Sequence, residues 1–283
     1  KLLMSYFKIK SHAKINLALN VVGKSKLLHR IESVISFLDL HDEIKIRKIV
    51  GKNHKISFKG KFSNGIQSKN TITDLLENLD KKKLLKDRYK IIIKKNIPSK
   101  AGLGGGSMNA ASIINFFVKK KIIKVKKKII LEISNSIGSD VALGLYSKNL
   151  ILKSNSFIQT LSNKKKFYTL IVKPNFGCST KKIFSKVKKF SKPKLNSVSS
   201  NIFDEKFLKK MKNDLEIIAF ATYPKLIVLK NFLENLSNIE FVRMTGSGSA
   251  IIAYFSSFRK CKEAEKKVKK KFRNYWCKTS KTI

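Results

Sequence analysis

The chain has 283 residues, 42% of them hydrophobic, and carries 62 Lys and Arg against 18 Asp and Glu, a formal net charge of +44. This length gives one large domain or two ordinary ones, and the apolar content excludes a disordered chain. No apolar run approaches the ~20 residues that a membrane span needs, and the first residues turn polar too soon for a secretion signal. We therefore expect a soluble protein. Cys178, Cys261 and Cys277 are odd in number and lack metal-ligand spacing, which suits a reducing cytoplasm, so we expect a cytoplasmic protein with inert thiols.

The strong positive charge taken alone would indicate nucleic-acid binding. However, the lysines are spread along the chain and far outnumber the arginines that base readout favours. They also accompany many Ile, Asn and Phe residues, as expected of a codon pool rich in A and T. We therefore interpret the charge as compositional, with salt-sensitive adhesion to RNA as a side effect.

The first predicted element covers residues 5–22, which alternate apolar and polar side chains in the manner of one or two strands. Lys14 and Asn16 fall on one face of it, because strand side chains repeat every two residues. From these residues alone, a strand with one solvated face explains the pair better than a binding role does.

The rest of the chain is predicted to alternate strands and helices without a regular parallel rhythm, which indicates an α+β architecture. Residues 44–49 and 55–61 are predicted to pair as a hairpin that turns near residues 51–54. The other predicted strands are 30–40, 89–95, 149–153, 167–173, two strands flanking 245–249, and an edge strand at 274–279; the predicted helices are 70–85, 110–118, 122–137, 181–190, 214–236 with an interruption at Pro224, and 258–272; residues 23–28 and 192–201 are predicted loops.

The most informative stretch is Ile97-Pro-Ser-Lys-Ala-Gly-Leu-Gly-Gly-Gly-Ser-Met-Asn-Ala-Ala-Ser112. An Ile-rich run precedes its glycines and helix-forming residues follow them. A strand, a glycine turn and a helix in this order present backbone N–H groups and the positive end of the helix dipole to an anion. Glycine lets a phosphate come closer to the backbone than a Cβ allows. We therefore predict phosphate binding at this loop.

Other nucleotide-binding loops do not match the sequence. A Rossmann fingerprint needs glycine at its sixth position, where this chain has Ser107 or Asn109. A P-loop needs a glycine five residues before Gly-Lys-Ser, and Ala18 holds that place before Gly23-Lys24-Ser25. The His-Arg-Asp and Asp-Phe-Gly sequences of protein kinases do not occur.

Asp140 stands alone in the apolar run Gly138-Ser-Asp-Val-Ala-Leu-Gly144. Acidic residues are scarce in this chain, and a carboxylate in apolar surroundings needs a partner or a function. A cap at the start of a short helix and a catalytic role both fit Asp140. The turn Thr245-Gly-Ser-Gly-Ser249 likewise fits either a second phosphate contact or a tight hairpin.

Three segments together resemble the galactokinase, homoserine kinase, mevalonate kinase and phosphomevalonate kinase (GHMP) superfamily. They are Ala13-Lys-Ile-Asn-Leu-Ala-Leu19, Pro98-Ser-Lys-Ala-Gly-Leu-Gly-Gly-Gly-Ser-Met-Asn-Ala-Ala111 and Thr245-Gly-Ser-Gly-Ser-Ala250. Within the superfamily, the triple glycine with Ser-x-Asn-Ala-Ala and the Gly-Ser-Asp-Val motif resemble the branch that phosphorylates a cytidine-diphosphate-linked methylerythritol. The resemblance runs from about residue 11 to about residue 278.

The resemblance implies an α+β, two-lobed GHMP kinase fold with the active site in the cleft. A ribosomal protein S5 domain 2-like N-terminal lobe would cover residues 1–153, and an α/β-sandwich C-terminal lobe residues 154–283. The implied activity is phosphorylation of a 2-hydroxyl group in non-mevalonate isoprenoid synthesis, with ATP and Mg²⁺ as cofactors. The implied partner is a small molecule, without a specific nucleic acid or membrane, and a homodimer is compatible with the family.

The resemblance also carries roles over to individual residues. It implies that Asp140 accepts the proton of the substrate hydroxyl, while Lys14 keeps that carboxylate ionised and offsets charge on the transferred group. The other implied contacts are Ala101, Gly102, Leu103, Gly104, Gly105, Gly106 and Ser107 with the ATP phosphates, Asn70 and Lys95 with the nucleotide, Asn16 with the substrate, and His29 and Phe184 with its cytosine.

The chain departs from the family pattern mainly around the base-binding loop. The family places Tyr before the cytosine-binding His, whereas this chain has Leu28, which loses ~1 kcal/mol of aromatic stacking. The preceding loop lacks its glycine, Met108 replaces a serine, and Ser99-Lys100 replaces small residues. A homoserine- or mevalonate-type kinase is therefore the first alternative, and a basic RNA-associated protein on a similar fold is the second.

Overall fold

The computed structural model describes residues 5–25, 28–146, 148–161, 166–197 and 205–283. Within these ranges the chain forms ten strands and nine helices. In chain order they are β1 Phe7–Lys24, β2 His29–Ile49, β3 Lys55–Lys59, α1 Thr71–Lys81, β4 Arg88–Lys94, α2 Gly105–Lys119, α3 Lys127–Ile137, α4 Ser139–Gly144, β5 Leu150–Leu152, β6 Ile158–Thr160, β7 Tyr168–Lys173, α5 Thr180–Ser185, α6 Glu205–Lys210, α7 Leu215–Thr222, α8 Lys225–Glu234, β8 Phe241–Met244, β9 Ile251–Phe255, α9 Phe258–Lys271 and β10 Trp276–Lys281.

Most predicted elements are confirmed, with shifted ends. The predicted helix at 122–137 begins only at Lys127, and the one at 181–190 ends at Ser185. The interruption predicted at Pro224 is confirmed, because this residue is the N-cap of α8. The predicted edge strand near the C-terminus is also confirmed, since β10 lies at the end of its sheet.

The predicted hairpin of residues 44–49 and 55–61 is wrong, because β4 lies between these two strands. β4 pairs antiparallel with β2, opposite Ile46, and parallel with β3, opposite Ile56, both through Ile91. Tyr89, Ile91 and Ile93 of β4 are buried, whereas β3 alternates exposed and half-buried residues. The more apolar strand therefore takes the interior place and leaves β3 at the edge.

The chain divides into two compact units, each built from several segments. The first unit comprises Lys1–Ala13, Leu40–Ser99 and Gly104–Ser147, and the second comprises Lys14–Asp39, Lys100–Leu103 and Lys148–Ile283. The divisions fall within β1, within β2, in the glycine-rich loop and between α4 and β5. The family domain limit after residue 153 stays a prediction.

The first unit packs helices on β3, β4 and the C-terminal half of β2. α1 buries Ile72, Leu75, Leu76 and Leu79 on one face, which is the spacing of an amphipathic helix. α2 contributes six buried residues to the same core, from Ala110 to Phe117. Because α2 is embedded in this way, the position of the glycine turn before it is fixed.

The second unit contains a four-stranded antiparallel sheet in the order β10–β7–β9–β8. Residues of α7, α8 and α9 pack with this sheet in one apolar core, which includes Leu215, Leu229 and Val268. The N-terminal half of β2 pairs with β5, which pairs with β6. The hairpin of β8 and β9 is connected by the Thr245–Ser249 turn, whose residues are all buried.

The three cysteines are free thiols, two of them buried and Cys277 half-buried. Burial raises the pKa of Cys178 to about 11 and the pKa values of Cys261 and Cys277 to about 12. These thiols stay protonated at neutral pH. Because the thiolate is the reactive form, this agrees with the expectation of inert cysteines. In the part of the chain that the structure describes, no helix is both long and apolar enough to cross a membrane.

Candidate active site

The glycine-rich loop leads into α2, as predicted. Gly104 is the N-cap of α2 with a φ of +68°, and Gly102 has a φ of +75°. Glycine adopts this left-handed region without the cost that other residues meet. The N-cap and the first two helical positions are all glycine, so no Cβ covers the N–H groups at the start of the helix. This arrangement fits a bound phosphate, which the helix dipole also favours.

The first half of the loop is held by β1 and by the turn between β8 and β9. The Lys14 N–H donates to the Leu103 carbonyl oxygen at 3.1 Å, and the Thr245 hydroxyl donates to the Gly102 carbonyl oxygen at 3.1 Å. A Cβ on Gly102 would collide with the Thr245 carbonyl oxygen. The Thr245–Ser249 turn is therefore a hairpin connection that also supports the loop; a phosphate contact of its own stays a prediction.

Lys14 and Asn16 lie side by side and buried on β1. The Lys14 ammonium donates to Asn16 Oδ1 at 2.9 Å, and the Asn16 amide donates to the Ser33 hydroxyl at 2.8 Å. The Asn16 N–H donates to Thr245 Oγ1 at 3.1 Å. The strand face that they share is thus a buried polar cluster and not a solvated one. A lysine that is only 5% exposed is held in one place by such partners.

In the first unit, Lys95 directly follows β4, and its ammonium group lies close to the start of α2. It pairs with Asp42, which is fully buried. A Cβ on Gly105 would lie 3.2 Å from the Lys95 ammonium nitrogen. Asp42 also accepts hydrogen bonds from the N–H groups of residues 96 and 97, at 2.7 and 2.9 Å, and from the Asn109 amide of α2, at 3.0 Å. This network fastens the end of β4 to the first turn of α2.

Sequence reasoning missed Asp42, although a signal for it was present. Asp42 is flanked by His41 and Glu43 and not by an apolar run, but on a strand it falls on the same face as the apolar residues Leu40 and Ile44. A nucleotide contact of Lys95 stays a prediction.

Asn70 is the N-cap of α1. Its Oδ1 accepts hydrogen bonds from the N–H groups of Ile72 and Thr73 at 3.0 and 3.3 Å. The Thr73 hydroxyl oxygen in turn accepts the Asn70 N–H, which completes a capping box. The adjacent Thr71 hydroxyl donates to the Gly106 carbonyl oxygen at 3.1 Å. The start of α1 therefore lies against the second half of the loop, and a nucleotide contact of Asn70 stays a prediction.

Asp140 lies in the first turn of α4 and is half-buried. The N-cap of α4 is Gly138, so Asp140 is not the capping residue. α4 packs on α2: a Cβ on Gly144 would lie 2.6 Å from the Ala111 Cβ and 2.9 Å from the Met108 methyl group. The helix that carries Asp140 is thus fixed against the helix that the glycine loop starts.

His29 and Phe184 are brought together in the second unit, with their ring centroids 5.2 Å apart. Burial, and secondarily the charge of Lys24, lowers the pKa of His29 below its ordinary value. The imidazole is therefore neutral at neutral pH and has one donor and one acceptor nitrogen. Leu28 is 67% exposed, and Lys26 and Leu27 lie outside the described residues. The sequence analysis did not single out Phe190, whose ring centroid lies 6.4 Å from that of His29.

The predicted residues thus form three groups, one in the first unit and two in the second. The first contains Asn70, Lys95 and Gly104–Ser107, with Asp140 on the helix that packs against α2. The second contains Lys14, Asn16 and Ala101–Leu103, and the third contains His29 and Phe184.

A family model described as the GHMP kinases N terminal domain matches residues 70–148. The match includes Asn70, Lys95, the glycine loop and Asp140. A 4-diphosphocytidyl-2-C-methyl-D-erythritol kinase of Pelagibacter ubique (strain HTCC1062) is 56% identical over 281 residues, which cover 99% of this chain and 100% of that protein.

Solved structures show the same fold. A crystal structure of 4-(cytidine 5'-diphospho)-2C-methyl-D-erythritol kinase matches with a TM-score of 0.78 at 19% identity, covering 97% of this chain and 99% of that one. A homoserine kinase from Cytophaga hutchinsonii ATCC 33406 matches with a TM-score of 0.74 at 15% identity, covering 100% and 96%. The predicted α+β GHMP kinase fold is therefore confirmed, but fold alone does not separate these two kinases.

Proposed function

Because the chain belongs to the family of 4-diphosphocytidyl-2-C-methyl-D-erythritol kinases, we propose that it transfers the terminal phosphoryl group of ATP to the 2-hydroxyl group of 4-diphosphocytidyl-2-C-methyl-D-erythritol. The reaction belongs to non-mevalonate isoprenoid synthesis. The single observation that carries the proposal is the 56% identity over the whole length of the Pelagibacter ubique kinase. The glycine loop gives it a structural basis, since it has the geometry that a phosphate requires.

In this proposal residues 101–107 bind the ATP phosphates through backbone N–H groups. The support is the left-handed φ of Gly102 and Gly104 and the absence of a Cβ at the start of α2. Among the described residues no cluster of three or more His, Cys, Asp and Glu is placed to hold a metal ion. Phosphate oxygens would then supply most of the Mg²⁺ ligands, and the ion would neutralise charge on the transferred group.

Asp140 and Lys14 carry the chemistry in this proposal, on the match of their motifs to the family. Asp140 accepts the proton of the substrate hydroxyl as its oxygen attacks the terminal phosphorus, a role that contributes about 10²- to 10⁴-fold to rate. Lys14 stabilises negative charge on the transferred group. Its hydrogen bond to Asn16 supports this role, because a fixed ammonium needs no reorganisation during the reaction.

His29 and Phe184 recognise the cytosine in this proposal, and Asn16 contacts the substrate. The neutral imidazole of His29 offers hydrogen bonds to the edge of a base, and the half-buried ring of Phe184 offers a stacking surface. The proposed partner is thus a small charged metabolite. We assign the activity to the cytoplasm on that ground. We also propose a homodimer, which light scattering would test.

The test is a substrate panel. The full chain with ATP and Mg²⁺ is given the cytidylyl methylerythritol, homoserine or mevalonate in parallel, and ADP release is followed. We expect turnover with the cytidylyl compound and background rates with the other two. Faster turnover of homoserine or mevalonate would reassign the substrate within the superfamily, and background rates with all three would refute the kinase.

A further inference from the structure

The segment after α5, residues 186–197, contains no helix or strand but is fastened to the strands beside it. The Ser191 N–H donates to the Val21 carbonyl oxygen of β1 at 2.8 Å. The N–H groups of Lys194 and Leu195 donate to the two carboxylate oxygens of Glu32 at 2.7 and 3.0 Å. A segment held at these points has a defined course.

Glu32 is the centre of this attachment. Its side chain is completely buried, and one oxygen also accepts a hydrogen bond from the Asn20 amide at 2.7 Å. A buried carboxylate requires this degree of hydrogen bonding. The Glu32 carboxylate therefore attaches the segment to β2, at a position three residues after His29.

Phe190 immediately precedes the first attachment point, so its backbone position is defined. Its ring is 48% exposed, and its centroid lies 6.4 Å from that of His29, at an interplanar angle of 51°. Phe184 lies 5.2 Å from the same imidazole. Two phenylalanine rings therefore adjoin His29, and Phe190 keeps about half its surface available to a ligand.

We propose that Phe190 is a specificity-determining residue that contacts the pyrimidine base of the substrate beside His29 and Phe184, and that Glu32 positions it. This rests on the proposed function, since the base is the cytidyl group of that substrate. A base that hydrogen-bonds to His29 lies within reach of both phenylalanine rings. Phe190 then supplies the aromatic surface that Leu28, an exposed aliphatic side chain, does not offer.

The direct test measures binding of cytidine 5'-diphosphate to the full chain by calorimetry, with a saturating non-hydrolysable ATP analogue present so that the probe reports the base site. We expect Phe190→Ala to weaken binding about tenfold, because base–aromatic stacking contributes on that order. Phe190→Tyr, which keeps the ring, should bind within about twofold of the parent chain. An unchanged dissociation constant in Phe190→Ala would overturn the base contact.

Phe157→Ala is the matched control. Phe157 is 58% exposed and belongs to the same unit, but its ring lies near the Lys153 ammonium, at 5.7 Å. Loss of this ring should leave cytidine 5'-diphosphate binding unchanged. Equal weakening in Phe157→Ala and Phe190→Ala would mean that any exposed phenylalanine matters, and the assignment to Phe190 would then be wrong.

The role of Glu32 is tested by a double-mutant cycle. Glu32→Gln should weaken cytidine 5'-diphosphate binding in the parent chain but add little in the Phe190→Ala background, because it acts through that ring. A merely structural role would weaken binding equally in both backgrounds, which would refute positioning by Glu32.

Kinetics separate this inference from the proposed function. Phe190→Ala should raise KM for the cytidylyl substrate about tenfold while kcat and KM for ATP stay unchanged. If the parent chain turns over and this KM does not rise, the base contact is wrong and the kinase stands. If the parent chain binds cytidine 5'-diphosphate through Phe190 but releases no ADP, the kinase is wrong and the base contact stands.

Discussion

Asp140 is the residue on which the proposed chemistry depends most. Asp140→Asn removes the proton acceptor while keeping the size of the side chain, so we expect kcat to fall by about 10²- to 10⁴-fold with KM for ATP within a few-fold. Steady-state ADP release measures both constants. Asp74→Asn is the matched control, because Asp74 is also a half-buried acid in the first turn of a helix of the same unit. An equal loss in both variants would indicate a general effect of charge and contradict a catalytic Asp140.

Gly102 offers a second test at the scale of one residue, because Gly65 has nearly the same φ angle. Their φ values are +75° and +78°, but a Cβ on Gly102 would strike the Thr245 carbonyl oxygen, whereas nothing lies within 4 Å of one on Gly65. Gly65→Ala should therefore lower the free energy of unfolding only by the cost of a left-handed backbone at alanine, roughly 1–2 kcal/mol. We expect Gly102→Ala to lower the free energy of unfolding further and to raise KM for ATP at least about tenfold.

Urea denaturation and ATP kinetics on the two alanine variants give both quantities. Equal losses of stability, together with an unchanged KM for ATP in Gly102→Ala, would contradict the tight contact between the loop and the Thr245 turn.

Individual residues were predictable from sequence when one local rule was sufficient. The period-2 alternation placed Lys14 and Asn16 together, and they are in contact. The partners of Asp42 and Glu32 were not predictable, because they are distant in the chain: Asn109 is 67 residues from Asp42, and Lys194 is 162 residues from Glu32. Such pairing is set by strand order and loop course, which local patterns do not contain.

At the scale of the element, α2 depends on the buried Asp42 network at its first turn. Asp42→Ala would leave the Lys95 ammonium buried without its counter-charge, so we expect a loss of about 3–5 kcal/mol in the free energy of unfolding. Glu43→Ala is the neighbouring control, because Glu43 pairs with Lys94 at 2.8 Å while both side chains are nearly half exposed. That exposed pair should contribute less than about 1 kcal/mol.

Urea denaturation of the two variants separates these cases, and ATP affinity provides a second measurement. We expect Asp42→Ala to weaken ATP binding, because the start of α2, which follows the glycine loop, loses its hydrogen bonds to Asp42. Similar stabilities of the Asp42→Ala and Glu43→Ala variants would contradict a buried supporting network.

The strands show where element-scale prediction failed and why. The isoleucine-rich run before the loop was correctly predicted as a strand, but its partners were not. The hairpin prediction assumed that strands adjacent in sequence pair with each other. Instead, β4 lies between β2 and β3, although it begins at Arg88, 29 residues after β3 ends at Lys59. The apolar content of β4 indicates an interior strand, but not between which strands it lies.

At the scale of the whole molecule, the net charge of +44 makes stability and adhesion depend on salt. Self-repulsion destabilises a compact chain and is screened by salt. We therefore expect Tm to rise by roughly 3–6 °C between 0.05 and 0.5 M NaCl, equivalent to about 1–2 kcal/mol. Differential scanning fluorimetry measures it, and a Tm that falls with salt would mean that the charges are balanced by ion pairs.

The same charge predicts the behaviour with RNA. If the lysine excess is compositional, affinity for RNA should fall at least about 100-fold between 50 and 200 mM salt and should not depend on sequence. Fluorescence anisotropy with two unrelated oligonucleotides measures this. Tight and sequence-selective binding at 200 mM salt would favour the RNA-associated alternative.

The central claim is that this chain phosphorylates the 2-hydroxyl group of a cytidine-diphosphate-linked methylerythritol. The most direct measurement is identification by ³¹P and ¹³C NMR of the product formed from ATP and this substrate by the full chain. We expect a new phosphomonoester on carbon 2, formed in equal amount with ADP and at least about 100-fold more slowly with Asp140→Asn. ADP without a phosphorylated cytidylyl product, or a phosphate on another hydroxyl group, would contradict it.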